Sequence, residues 1–138
     1  SNGAKDIINK EKFKISKGDN CYVKPSILIN VNHSMNFMME ETFGPTVGII
    51  KVSNENEAVE FMNDSPYGLT ACVWTSDKEF ALSFGKKINT GTFFMNRCDY
   101  LDPGLAWTGV KDTGIGVTLS VLGFDHVTRA KSFHHRIV

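Results

Sequence analysis

Three short apolar runs, Thr46-Val-Gly-Ile-Ile-Lys-Val52, Leu69-Thr-Ala-Cys-Val-Trp74 and Thr92-Phe-Phe-Met95, decide the fold. Each has the length and β-branched or aromatic content of a buried strand. Helical patterns lie between them. Asn54 and Glu57 are spaced for a reciprocal cap, and Ala58, Phe61 and Met62 follow as one apolar stripe. Pro66 and Gly68 then end the helix and turn the chain. Ser76-Asp-Lys-Glu79 fits a capping box, and Phe80, Ala81, Phe84 and Ile88 recur at helical spacing. Gly91 falls where a helix C-terminus takes a left-handed residue. Strand, helix, strand, helix, strand at this spacing predicts two right-handed crossovers. The fold class is α/β, with a parallel-sheet βαβαβ core.

Upstream of this core, Tyr22 to Ile29 carries strand-forming residue types. Pro25 cannot donate to a ladder, which points to a sheet edge or an extended arm. Residues 3–21 are polar and mixed, with Ile7, Ile8, Phe13 and Ile15 as their sizeable apolar side chains, and read as a short helix and a loop. Ser1-Asn2, without an initiator Met, reads as the remnant of a cleaved tag on a section of something longer. Downstream, residues 97–116 hold Pro103 and four glycines, Gly104, Gly109, Gly114 and Gly116. A loop this long in a compact domain is functional or disordered, and Leu101, Leu105, Trp107 and Val110 argue against disorder. Leu119 to Val127 reads as a short helix, and Lys131 to Val138 as a terminal strand that pairs outside its own domain. The organisation expected is therefore 1–21 scar, helix and loop, 22–128 the α/β domain, and 129–138 a pairing strand.

The composition excludes several classes of function. Fifteen basic and fifteen acidic residues cancel among 138, so no nucleic acid or anionic membrane partner is implied. No apolar run approaches the roughly 20 residues of a membrane helix. Cys21, Cys72 and Cys98 are odd in number and lack metal-ligand spacing, so neither a disulfide framework nor a metal site is expected. Free thiols in a neutral chain fit a reducing cytoplasm.

Glu40-Glu-Thr-Phe-Gly-Pro45 directly precedes the first core strand. It could be a solvated turn. The functional reading instead presents a carboxylate as a double acceptor for vicinal ribose hydroxyls, with the phenyl ring against a heterocycle. Gly44 and Pro45 would fix the backbone so that both side chains project the same way. Asn96 ends the third strand, where α/β folds place ligand-contacting groups, although a plain strand-end amide is an equal reading. Arg97, Asp99, Tyr100 and Asp102 are candidates on the same side. An arginine there could grip a carboxylate through two parallel hydrogen bonds, or simply pair with a nearby Asp. Cys98 follows a cation, Cys72 lies in the second strand and Cys21 in the arm. His134 and His135 are adjacent, so on a strand they face opposite sides and cannot share a metal.

Tyr22-Val-Lys-Pro25, Glu40-Glu-Thr-Phe-Gly-Pro45, Asn63-Asp-Ser-Pro-Tyr-Gly-Leu69 and Gly91-Thr-Phe-Phe-Met-Asn96, in this order and spacing, resemble the C-terminal part of the aldehyde dehydrogenase superfamily. The likeness extends from about Tyr22 to the C-terminus. It implies part of that family's catalytic domain with a C-terminal oligomerisation strand, in a homo-oligomer. It also implies NAD- or NADP-dependent oxidation of an aldehyde to a carboxylic acid. In the family a thiolate attacks the aldehyde, hydride passes to the cofactor, and water releases the thioester. By motif match Glu41 resembles the glutamate that holds the nicotinamide ribose, and Phe43 the residue lying against the nicotinamide. Asn96, Cys98 and Trp107 fall on the substrate pocket.

The family's nucleophilic Cys, general-base Glu and oxyanion-hole Asn belong to segments upstream of this stretch, and so does the dinucleotide cradle. No residue here is therefore expected to be catalytic, and the piece alone should be inactive. Ala106-Trp-Thr-Gly-Val-Lys-Asp-Thr-Gly114 departs from the family's Pro-Phe-Gly-Gly-hydrophobic-Lys-x-Ser-Gly, with Trp107 for Phe and Thr108 for Gly. That leaves the aldehyde undetermined, because this loop shapes the pocket. The alternative is a stand-alone α/β ligand-binding or dimerisation module.

Overall fold

Backbone pairing and capping were traced in a computed structural model that describes residues 3–14 and 21–138. Ser1-Asn2 and Ile15 lie outside the described residues. The chain divides after Asp64 into two compact units, within the stretch 22–128 that the sequence reading kept whole.

The first unit is built on strands β1 (Lys5–Asp6), β2 (Ser26–Ile29) and β3 (Thr46–Gly48), with helices α1 (Asn36–Met39) and α2 (Glu55–Asn63). Strand β2 is central, antiparallel to β1 and parallel to β3. This corrects the edge expected for Tyr22–Ile29. Pro25 falls one residue before the ladder starts, and the Ser26 N–H is free to donate to the Pro45 carbonyl at 2.9 Å. Residues 3–14 hold β1 and a single 3-10 turn at Lys10–Lys12 rather than an α-helix. Asn54 caps α2 as read from sequence: its Oδ1 accepts from the N–H groups of Asn56 and Glu57, both at 3.0 Å. The return bond is donated by Ser53 N–H, not Asn54, and accepted by the Glu57 carboxylate at 2.6 Å. At the other end of α2, His33 Nδ1 lies 2.7 Å from Asp64 Oδ2 and the imidazole meets Phe61 edge-on.

The second unit carries β4 (Tyr67–Gly68), β5 (Thr70–Val73), α3 (Lys78–Gly85), β6 (Thr92–Met95), β7 (Trp107–Thr108), β8 (Val110–Lys111), β9 (Val117–Thr118) and α4 (Leu122–Val127). Strands β5 and β6 are parallel, joined through α3, in the register Thr70 to Thr92 through Val73 to Met95. The parallel α/β character is as expected, but the pairing is distributed differently. Residues 46–48 pair with 26–28, and 70–73 pair with 92–95. Ala81 and Phe84 of α3 are buried with Ile88, and Phe84 packs on Phe93 at 6.3 Å between ring centroids.

Two local expectations are corrected here. The N-cap of α3 is Asp77, not Ser76: the Asp77 Oδ1 accepts from Phe80 N–H at 2.9 Å. A carboxylate at the N-cap also complements the helix dipole. Gly91 is not a left-handed helix cap, since α3 ends at Gly85 with Lys86 in helical conformation. A glycine is required at 91 because a Cβ there would collide with the backbone carbonyl of Thr108. The long loop is ordered by two antiparallel pairings, β4 with β8 and β7 with β9. Residues 129–138 are exposed and form no strand within the described chain, so the strand read at Lys131–Val138 has no partner here.

Candidate functional site

Two places hold the candidate residues, one in each unit. In the first unit, α1 ends at Met39 with Glu40 as its C-cap, and the chain runs without helix or strand to β3. The Pro45 carbonyl is tied to Ser26 and the Gly44 carbonyl accepts from Thr46 N–H at 2.8 Å, which anchors the segment just behind the candidates. Glu41 is exposed, and no hydrogen bond or ion pair engages it among the described residues. Phe43 is 94% exposed. Burying a phenyl ring is worth about 1.5–3 kcal/mol, so a ring left in solvent beside an unengaged carboxylate favours a ligand with one flat apolar face and adjacent hydroxyls. Those are the features of a nicotinamide riboside, and the residues present fit that group.

In the second unit, β6 carries the fold's alternation into a hollow. Phe93 turns to α3, whereas Thr92 and Phe94, on the opposite face, line a cavity of about 130 Å³. Arg97, Tyr100, Asp102, Leu105, Trp107 and Leu119 complete the lining. Trp107, half-buried in β7 and held opposite Thr118, is on the cavity wall. Asn96 and Cys98 do not line it. Asn96 sits at φ 55° and uses its whole amide on one residue. Its Oδ1 accepts from Thr75 N–H at 2.8 Å, and its Nδ2 donates to the Thr75 carbonyl at 2.7 Å. Cys98 is exposed in the loop. The Arg97 guanidinium lies 3.7 Å from the centroid of the Tyr100 ring. It forms no ion pair with Asp99 or Asp102 among the described residues. Asp102 Oδ1 instead accepts from Gly104 N–H at 2.8 Å.

The sequence reading did not single out Phe94 or Leu119. Period-two alternation from Thr92 would have found Phe94. Leu119 has no such signal: it reaches the hollow because it adopts φ 62°, a left-handed conformation that a branched side chain rarely takes. A second hollow, of about 290 Å³ in the first unit, is walled by Met38, Ile50, Val52, Ala58, Phe61 and Met62, and its polar lining residue, His33, already meets Asp64.

The family model described as aldehyde dehydrogenase family matches residues 1–133, reaching upstream of Tyr22, where the sequence likeness was placed. The NAD(P)+ aldehyde dehydrogenase 1 of Saccharomyces cerevisiae is 30% identical over 129 residues, covering 94% of this chain and 26% of that protein. Among solved structures, the aldehyde dehydrogenase of Mycobacterium tuberculosis complexed with NAD+ superposes with a TM-score of 0.82 at 32% identity, over 93% of this chain and 26% of that one. The succinic semialdehyde dehydrogenase of Streptococcus pyogenes, in complex with NADP+, gives 0.79 at 36% identity, over 89% and 26%. The chain spans about a quarter of the length of these relatives. A match over nearly the whole sequence does not favour the stand-alone module.

Proposed function

The chain belongs to the aldehyde dehydrogenase family, and from that premise we propose that it supplies the cofactor-positioning and substrate-facing parts of an enzyme that oxidises an aldehyde to a carboxylic acid with NAD or NADP. The observation that carries this reading is the pair Glu41 and Phe43, a carboxylate and a phenyl ring two residues apart, both exposed and neither engaged by the described protein. The nicotinamide, when bound, accepts a hydride from the substrate carbon. Glu41 would hold the two ribose hydroxyls, since a carboxylate has acceptor sites enough for both. Phe43 would bear on the nicotinamide ring. Together they would position that ring, and a misplacement of about 1 Å can cost on the order of 100-fold in rate.

Trp107 forms part of the wall that meets the aldehyde. Asn96 holds the end of β6 to Thr75 and so supports the loop from which Arg97 and Tyr100 project. Cys98 takes a loop role, and none of the three cysteines of this chain carries the covalent step. Residues 129–138, exposed and forming no strand among the described residues, dock on another copy to give a homo-oligomer. Three free thiols support a cytoplasmic setting.

The test has two parts. The 138-residue chain, assayed with NAD, NADP and assorted aldehydes, is expected to reduce no cofactor; aldehyde-dependent reduction by the chain itself would overturn the division of labour. In the enzyme that carries this stretch, Glu41→Gln is expected to slow single-turnover NADH formation roughly tenfold or more while changing cofactor dissociation less. An unchanged single-turnover rate removes Glu41 from the role.

A further inference from the structure

Arg97 is in an unusual position for a cation. It lines a hollow whose other walls are mostly apolar, Phe94, Leu105, Trp107 and Leu119 among them, with Tyr100 and Asp102 as polar members, yet no carboxylate lies within salt-bridge distance of it among the described residues. Two acids lie within five residues in sequence and neither pairs with it; one of them, Asp102, engages Gly104 N–H instead. The guanidinium carbon lies over the Tyr100 ring, 3.7 Å from its centroid. Stacking on an aromatic face fixes the plane of the guanidinium and occupies its π-surface, while its N–H donors all point outward along its edge. That edge matches a planar two-oxygen anion, which can accept two parallel hydrogen bonds. The ordering entropy of the arginine is partly met in advance by the ring, so less is lost on binding.

We propose that Arg97, oriented by Tyr100, is the anion-recognising residue of this hollow, and that the ligand it takes is a carboxylate on a hydrocarbon body. This rests on the reading of the hollow as the substrate side, and it names the substrate class: an aldehyde bearing a second, acidic end. The apolar wall of Phe94, Leu105 and Trp107 takes the hydrocarbon, and Arg97 takes the acid. Asp102 is the opposing charge in the same lining. Its second role is selection: it weakens any anion that fails to form the paired hydrogen bonds with Arg97.

The test titrates the protein with hexanoate and with hexanamide, following the emission of Trp107 in a Trp74→Phe background. Hexanoate is expected to change the emission saturably and hexanamide to do so at least roughly tenfold more weakly. Arg97→Gln should abolish the difference between the two probes, and Arg97→Lys, which keeps the charge without the planar fork, should restore only part of it. Asp102→Asn should tighten hexanoate. Equal binding of the two probes, or an Arg97→Gln variant that keeps hexanoate affinity at an unchanged urea midpoint, overturns the proposal. An enzyme that oxidises neutral aldehydes but shows no preference for hexanoate loses this proposal and keeps the catalytic reading. One that binds hexanoate through Arg97 but forms no NADH from any aldehyde keeps this site and loses that reading.

Discussion

At the scale of single residues, Asp6 shows how a surface carboxylate becomes a structural one. Its Oδ2 lies 2.8 Å from Lys10 Nζ, and its Oδ1 accepts from the N–H groups of Ile8 at 3.0 Å and Ile27 at 3.3 Å. The Lys10 ammonium is the largest influence, followed by the Ile8 N–H; desolvation opposes them and outweighs either of the lesser contributions from Ser26 and Ile27. Together they hold the carboxyl far below its ordinary 3.8. The sign follows from linkage: a carboxylate with a depressed folded pKa contributes stability above the unfolded value, and that contribution is lost as pH falls toward the folded one. Asp6→Asn should therefore lower the urea midpoint at pH 7 and leave a shallower loss of stability below about pH 4. Parallel loss of stability in variant and parent between pH 7 and pH 3 would show that Asp6 does not link β1 to β2 in this way. None of this was legible in the sequence, because Lys10 is the only partner of Asp6 at helical spacing and the segment is not an α-helix. The Ile27 donor, 21 residues away, is brought to Asp6 by the β1–β2 ladder.

At the scale of elements, local chemistry was read well and its exact placement less well. Ser76 and Asp77 are both good N-caps, and three residues after each comes a residue that can donate. The sequence pattern favours Ser76 through Glu79. The structure uses Asp77, which brings Phe80, Ala81 and Phe84 onto the face that meets β5 and β6, with Phe84 buried against Phe93. Burial of that face decides the register of the helix, and the cap follows it. Asp77→Ala should cost about 1 kcal/mol of stability, whereas Ser76→Ala should stay within about 0.5 kcal/mol. Urea denaturation of the two variants checks this, and a larger cost at Ser76 would restore the box read from sequence. Gly91 carries the same lesson. Its residue type was noticed and its reason was not, since the carbonyl that forbids a side chain belongs to Thr108, 17 residues on.

At the scale of the whole molecule, the apolar residues are distributed as in a protein that meets other surfaces. The buried apolar side chains are Val31, Met35, Ala81, Phe84 and Ile88, and no described side chain is fully enclosed. Against these stand Phe43, Trp74, Ile115, Val121, Phe124 and Val127, all at least two-thirds exposed. Exposed apolar area of this kind favours association by the hydrophobic effect. The 138-residue chain should therefore self-associate increasingly with concentration. Light scattering that reports a constant monomer mass over a hundredfold concentration range would contradict this.

What the sequence by itself determined is the set of properties carried by local order: the α/β class, the helices α2 and α3 with the Asn54 cap of the first, the β6 strand to the residue, and the family through four motifs in register. These depend on neighbours within a few positions, where side-chain type and spacing act directly. Only the tertiary structure decided that Ser26–Ile29 is a central strand, that Asn96 is a clamp on Thr75, and that Arg97, Tyr100 and Trp107 share a cavity. Each of those depends on which distant backbone donors and side chains a fold brings within hydrogen-bond or van der Waals reach. That proximity is a property of chain closure and packing, and no window of sequence contains it.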